Sequence, residues 1–233
     1  MKTLLKRFAA VVALLVVPAS IHAAEKTFRD QLVEKLVSCE YSLEVVMSKP
    51  ETAIPAEVLR SAKGIVLVHQ YRAGFIFGGQ GGSAILVARN PQSGKWGVPV
   101  FLDPGGVNFG LQAGVKEMNS VFLLMTDDAV TSAYSGRFDI GADAVAVAGP
   151  KAAERERFDL FSTPVLVYNS FGGLFAGASF KTAWLAPFDR ANRAFYGTTH
   201  STPEIVLSTW FQPPPEAQSL LTRIRNAEGG ARK

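Results

Sequence analysis

Cysteine is nearly absent from this chain. Cys39 is the only one among 233 residues, which excludes an internal disulfide and a thiolate-built metal site. Histidine is almost as scarce: His22, His69 and His200 lie far apart, without zinc-ligand spacing. No Gly-x-Ser-x-Gly elbow occurs. Charge is low and balanced, with 24 basic and 20 acidic side chains making 19% of the chain. That is too little charge for a disordered chain, and 48% hydrophobic content supplies a core. Beyond the N-terminus no apolar run is long enough to cross a membrane as a helix.

The N-terminus has its own grammar. Lys2, Lys6 and Arg7 precede an apolar run from Phe8 to Val17, and small residues follow through Ala24. This predicts a signal peptide over residues 1–23, cleaved after Ala23 or, alternatively, Ala24. Removal takes three of the 24 basic residues and none of the 20 acidic ones, so the formal charge falls from +4 to +1. A nucleic-acid partner loses its electrostatic support. The expected location is the periplasm, soluble or peripheral on a membrane. Leu36-Val37-Ser38-Cys39 resembles a lipoprotein signal, but it lies well beyond the leader inside a helical pattern, so Cys39 is read as a helix residue.

What the chain does have is glycine, aromatics and β-branched runs. Tyr168 to Phe180, with four aromatics and three glycines, reads as a core hairpin turning at Gly172-Gly173. Phe28 to Met47 has helical apolar spacing at Phe28, Leu32, Leu36, Leu43 and Met47, with Val33, Val37 and Tyr41 beside them. Its apolar face either packs on the domain or enters a membrane interface; mixed charges favour packing. A short helix follows from Pro55 to Ala62, and Ile65–His69, Ala84–Arg89, Lys95–Phe101 and Val121–Met125 read as strands. Gly79 to Ala84 fits a dinucleotide-loop pattern, but a strand follows instead of a helix, so the nucleotide reading fails.

Further on, Asp103–Gly106 reads as a turn, Asn108–Lys116 as a bent strand and Gly141–Ala148 as a strand of small residues. Asp127 or Asp128 should cap a helix through Tyr134. Helices are expected over Pro187–Phe195, ended by Gly197, and Pro203–Trp210, capped by Thr202. Pro213–Pro215 should set off a last helix, Glu216–Asn226, from the body. The pattern predicts one α+β domain, 24–212, with a curved antiparallel β-sheet or barrel-like core, flanking short helices, and a tail over 213–233.

Taken in order, Ala62-Lys63-Gly64-Ile65, Ala73-Gly74-Phe75, Gly94-Lys95-Trp96 with Pro99, and Gly110-Leu111-Gln112-Ala113-Gly114 form a motif series. It continues with Gly141-Ala142-Asp143, Ala148-Gly149-Pro150, Gly173-Leu174-Phe175-Ala176-Gly177, and Asn192 with Phe195-Tyr196-Gly197. The series resembles the SYLF-domain family, over about Arg29 to Trp210. The resemblance implies a non-enzymatic protein that binds anionic or phosphoinositide-like phospholipids, acting at the cell envelope in exported bacterial members. Gly97 stands where serine is usual, and Lys181 where an acidic residue is common. No Src-homology 3 sequence follows, so no actin role is expected.

For lipid binding, basic side chains should adjoin apolar surface. Phe28, Arg29, Leu32 and Lys35 on the first helix form one candidate group; Lys63, Arg72 and Lys181 beside glycine-aromatic segments form another. No catalytic residue, metal or cofactor is expected. The partner expected is a phospholipid surface, with an envelope protein as a further partner. The alternative is a structural or protein-interaction module without a specific lipid, and a third reading is a hydrolase built on His69 or His200. An apolar cavity lined by Phe75, Phe77, Phe171, Phe175 and Phe180 would favour lipid, and a packed interior with an exposed apolar patch the alternative.

Overall fold

The computed structural model describes residues 26–72, 80–105, 117–139, 144–146, 163–170 and 184–229. The expected leader, the Tyr168–Phe180 hairpin beyond Ser170, the five cavity phenylalanines and Lys181 lie outside the described residues.

Helix α1 (Phe28–Met47) starts at a capping box, in which Thr27 accepts from the Asp30 N–H and Asp30 accepts from the Thr27 N–H. This satisfies two N–H groups that an uncapped helix would leave free. Its stripe of Leu32, Leu36, Cys39, Leu43 and Val46 is fully buried. Helix α2 (Ala56–Ser61) then leads into the central strand, β1 (Gly64–Arg72).

The remaining strands are β2 (Gln80–Ala88), β3 (Val100–Gly105), β4 (Glu117–Leu124), β5 (Phe138–Asp139), β6 (Ala144–Ala146), β7 (Val165–Asn169) and β8 (Trp184–Pro187). They form one eight-stranded curved sheet in the order β5-β8-β3-β2-β1-β4-β7-β6. Pairing is antiparallel throughout except between β6 and β7.

Both faces of the sheet are covered, which explains continuous apolar runs where a half-exposed strand would alternate. Ile65, Leu67, Ile85, Val87, Phe101, Val121, Leu123, Leu166 and Tyr168 face a layer made by α1, α2, α4 (Asp189–Tyr196) and α6 (Gln218–Gly229). The alternate residues, among them Val66, Leu86, Val100, Phe122 and Val167, face α3 (Asp127–Ser135) and α5 (Thr202–Leu207). Each such side chain contributes about 1.5–3 kcal/mol by leaving water.

Several expected boundaries move. The expected turn at Asp103-Pro104 is instead the end of β3, paired with β8. The β2 ladder stops opposite Leu102, so the N–H that Pro104 lacks removes no bond on that side. Lys95–Phe101 is not a full strand: a single bridge joins Arg89 to Trp96 before β3 begins. The cap of α3 is Thr126, which accepts from the Ala129 N–H, while Asp127 and Asp128 occupy the first turn. The cap of α5 is Ser201, closed by Glu204; Thr202 is buried and bound elsewhere. After Pro213–Pro215 the chain returns, and α6 lays Leu220, Leu221 and Ile224 into the same core as α1.

Candidate functional site

Toward the Arg72 end of β1 the apolar alternation gives way to polar residues. His69 follows Ile65 and Leu67 on the α1-facing side, opposite Asn119 of β4 and Ser83 of β2. Asn119 organises this end. Its Oδ1 accepts from the Ser42 hydroxyl of α1 at 2.9 Å, and its Nδ2 donates to Glu117 Oε1 at 3.1 Å.

Those two bonds fix the amide's orientation and hence the histidine tautomer. His69 Nδ1 lies 2.9 Å from the same Oδ1, an oxygen that can only accept, so Nδ1 carries the proton and Nε2 holds the free lone pair. Glu117 Oε1 lies 3.8 Å from Nδ1. The imidazole sits between two tyrosines, with centroids 6.3 Å from Tyr41 and 6.1 Å from Tyr71.

Cys39, His69 and Asn119 are the residue types of a thiol hydrolase. Cys39, however, is fully buried, and desolvation pushes its thiol up to about 12 despite the His69 backbone N–H pointing at it. Such a thiol is inert at neutral pH. The ring nitrogen of His69 is engaged by Asn119, and no serine hydroxyl bonds either histidine ring among the described residues. This arrangement holds a histidine in place; it does not assemble a nucleophile and base.

Around that polar knot lies an exposed patch. Val37 is 56% exposed, and Tyr41 and Tyr71 are each 48% exposed. Val37 and Tyr41 stand one helical turn apart on α1. Lys35 reaches the same end, its ammonium 3.5 Å from the Gly82 carbonyl of β2. Arg72 closes β1 opposite Gln80. Two cationic positions, two tyrosines and a valine thus share the end of the sheet from which β1 and β2 lead to residues 73–79.

The other candidates fall elsewhere. Leu32 is fully buried and Phe28 partly so, with the Arg190 guanidinium 4.9 Å over the Phe28 ring. Arg29 is committed to Glu216 at 2.7 Å and lies over Phe195; that hydrogen bond raises its pKa further. Lys63 is at the opposite end of β1, on a cleft of about 230 Å³ shared with Arg89, Asp127 and Leu207. Among the described candidates, Lys35 and the backbone position of Arg72 share one end of the sheet. The sequence grouped Val37 and Tyr41 with the buried stripe; their flanking position on the helical wheel was the only sign of exposure. Nothing in the sequence placed Tyr71 or His69 beside them, because that juxtaposition is made by packing.

Among the described residues no helix is long and apolar enough to cross a membrane, and no group of three His, Cys, Asp or Glu could hold a metal ion.

Comparison with known proteins identifies the family. A family profile described as "Ysc84: Las17-binding protein actin regulator" matches residues 105–227. "LAS seventeen-binding protein 3" of Saccharomyces cerevisiae is 34% identical over 175 residues, covering 73% of this chain and 38% of its own length. "Protein YSC84" of the same yeast is 34% identical over 176 residues, 73% of this chain and 37% of its own. The human "SH3 domain-containing YSC84-like protein 1" is 34% identical over 150 residues, 63% and 44% respectively. The chain therefore spans less than half the length of these curated relatives. With the profile covering the sheet's second half and helices α3 to α6, the chain belongs to the Ysc84 family, the SYLF-domain proteins that its motif series resembles.

Proposed function

We propose that this domain is a non-enzymatic docking module that binds anionic phospholipid surfaces at the cell envelope, after export by its leader. The observation carrying this reading is the patch at the Arg72 end of β1, where Val37, Tyr41 and Tyr71 stand exposed beside Lys35. Tyrosine suits a membrane boundary because its ring enters the acyl region while its hydroxyl stays wet. A lysine beside it gains about 1 kcal/mol at an anionic leaflet. The apolar stripe of α1 is already spent on the sheet, so contact falls to the helix flank and not to insertion of the whole helix.

Co-sedimentation with neutral and anionic liposomes at low and high salt tests this. Binding to anionic vesicles that salt weakens is the expected result. Val37→Asp with Tyr41→Ser should cut the affinity about tenfold while the thermal midpoint holds, since both side chains are half exposed. No binding of the unaltered protein under any condition would end the lipid reading.

A protein partner is the second reading, and one observation favours it. Trp210 is 60% exposed, stacked on Phe211 at 4.3 Å, with His200 edge-on to both. Exposed aromatics of this kind anchor protein interfaces, and one of the yeast relatives is named for binding LAS seventeen.

A further inference from the structure

We infer that His69 is a headgroup-contacting residue of the docking face and makes that docking pH-dependent, binding to anionic lipid tightening as the pH falls. This rests on the membrane reading above and adds to it the residue that regulates it.

The geometry is specific. Asn119 holds Nδ1–H, so the site of protonation is Nε2, and charging the ring breaks none of its existing bonds. The ring need not turn and no buried partner is orphaned. Each element packed around it bears on the charged form. From β4, Glu117 stands 3.8 Å from Nδ1. From α1, Tyr41 presents its ring, Lys35 reaches the neighbouring Gly82 carbonyl, and Cys39 stays a neutral buried thiol. From β1, Tyr71 flanks the ring and Arg72 follows it in sequence; from β2 the facing residues, Gly82 and Ser83, are uncharged.

An anionic headgroup against the patch attracts a positive charge on the ring, so a bound headgroup favours the proton on Nε2. Proton and lipid therefore favour each other's binding, by the same factor in either order. Histidine changes charge between about pH 5 and pH 8, so the response falls in a range that an envelope protein meets. His69 is flanked by the half-exposed Tyr41 and Tyr71, and its own side chain is 14% exposed. It is thus shielded from bulk water yet placed where the patch meets a surface.

The test is vesicle co-sedimentation of the protein at pH 5.5 and pH 7.8, on phosphatidylcholine alone and on phosphatidylcholine mixed with phosphatidylglycerol. The unaltered protein should bind the mixed vesicles about fivefold more tightly at the lower pH, the equivalent of about 1 kcal/mol for one added charge at an anionic surface. His69→Gln keeps a donor toward Asn119 and should lose this slope, while His200→Gln should keep it. Binding that is equal at both pH values, or a slope that survives in His69→Gln, overturns the inference and leaves the membrane reading standing. Absence of binding to mixed vesicles at both pH values overturns both.

Discussion

Asn192 is buried on α4, and its amide closes a three-way junction. Its Oδ1 accepts from the Phe101 N–H at 2.7 Å, and its Nδ2 donates to the Phe101 carbonyl at 3.0 Å and to Thr202 Oγ1 at 2.8 Å. It acts as a surrogate strand along β3 and ties α4 to the start of α5. Asn192→Leu fits the volume but orphans the buried Phe101 N–H, at about 1–3 kcal/mol, and removes the bonds to the Phe101 carbonyl and Thr202, although that carbonyl keeps the Phe188 N–H at 3.1 Å. We expect a loss of about 3 kcal/mol, seen as a lower urea midpoint at unchanged slope. The same junction carries a pH dependence. The Asp189 carboxylate accepts from the Thr202 hydroxyl at 2.6 Å and from its N–H at 2.8 Å, and the hydroxyl bond first, then the backbone bond, hold its pKa below the usual range. A depressed carboxyl stabilises the fold above its unfolded value, about 3.9, and that stability drains away as the pH falls through the lower folded value. Asp189→Asn should therefore flatten the acid limb of the stability curve below about pH 4; an unchanged limb would assign that limb to other carboxylates. The sequence named Asn192 only as part of a family motif. Its two partners lie 91 and 10 residues away, and no local pattern reports such a bond.

At the scale of elements, local chemistry made some of the fold readable and long-range packing hid the rest. The spacing of Leu32, Leu36, Leu43 and Met47 marks α1 and its buried side correctly, since a helix with one apolar stripe has one way to satisfy it. Gly197 ends α4 in the left-handed region at φ 61, as its position suggests. The triple proline misleads because proline reports only where a helix cannot continue, not where the chain goes next. Here it is followed by α6, whose Leu220, Leu221 and Ile224 are buried against the α1 layer. Its far end is locked too: Glu228 pairs with Arg89 and accepts from Trp96 Nε1 at 2.9 Å, while the Arg89 guanidinium lies 3.9 Å over the Trp96 ring. Three buried aliphatic side chains at about 1.5–3 kcal/mol each rival the whole stability of a typical domain. A chain ending at Gln212 should therefore show no cooperative thermal transition. Ile224→Ala, losing about 3 kcal/mol, should melt cooperatively at a lower temperature. A truncated chain that melts like the full one would make α6 a dispensable tail.

For the whole molecule the question is which end meets the surface. β1 has nine residues, so its two ends lie about 30 Å apart. Val37, Tyr41, Tyr71 and Lys35 occupy the Arg72 end, whereas Lys63 and Leu207 line the cleft at the Gly64 end. Trp210 follows α5 at that second end, exposed to water. The sequence grouped Lys63 with Arg72 and set Lys35 apart on the first helix, because the packing that brings α1 to the Arg72 end of β1 leaves no local signal. A formal net charge of +4 over 233 residues, or +1 were the expected leader removed, gives little long-range steering, so under the proposed membrane reading orientation would be set by contact at the patch. Docking through the Arg72 end leaves Trp210 in water. Acrylamide quenching of the protein's fluorescence should then fall little when anionic vesicles are added, and Trp210→Phe should leave vesicle affinity unchanged. Strong protection of Trp210 together with weakened binding of Trp210→Phe would reverse the orientation. The lipid face would then be the Lys63 and Leu207 end, and the tyrosine patch would be left for a protein partner.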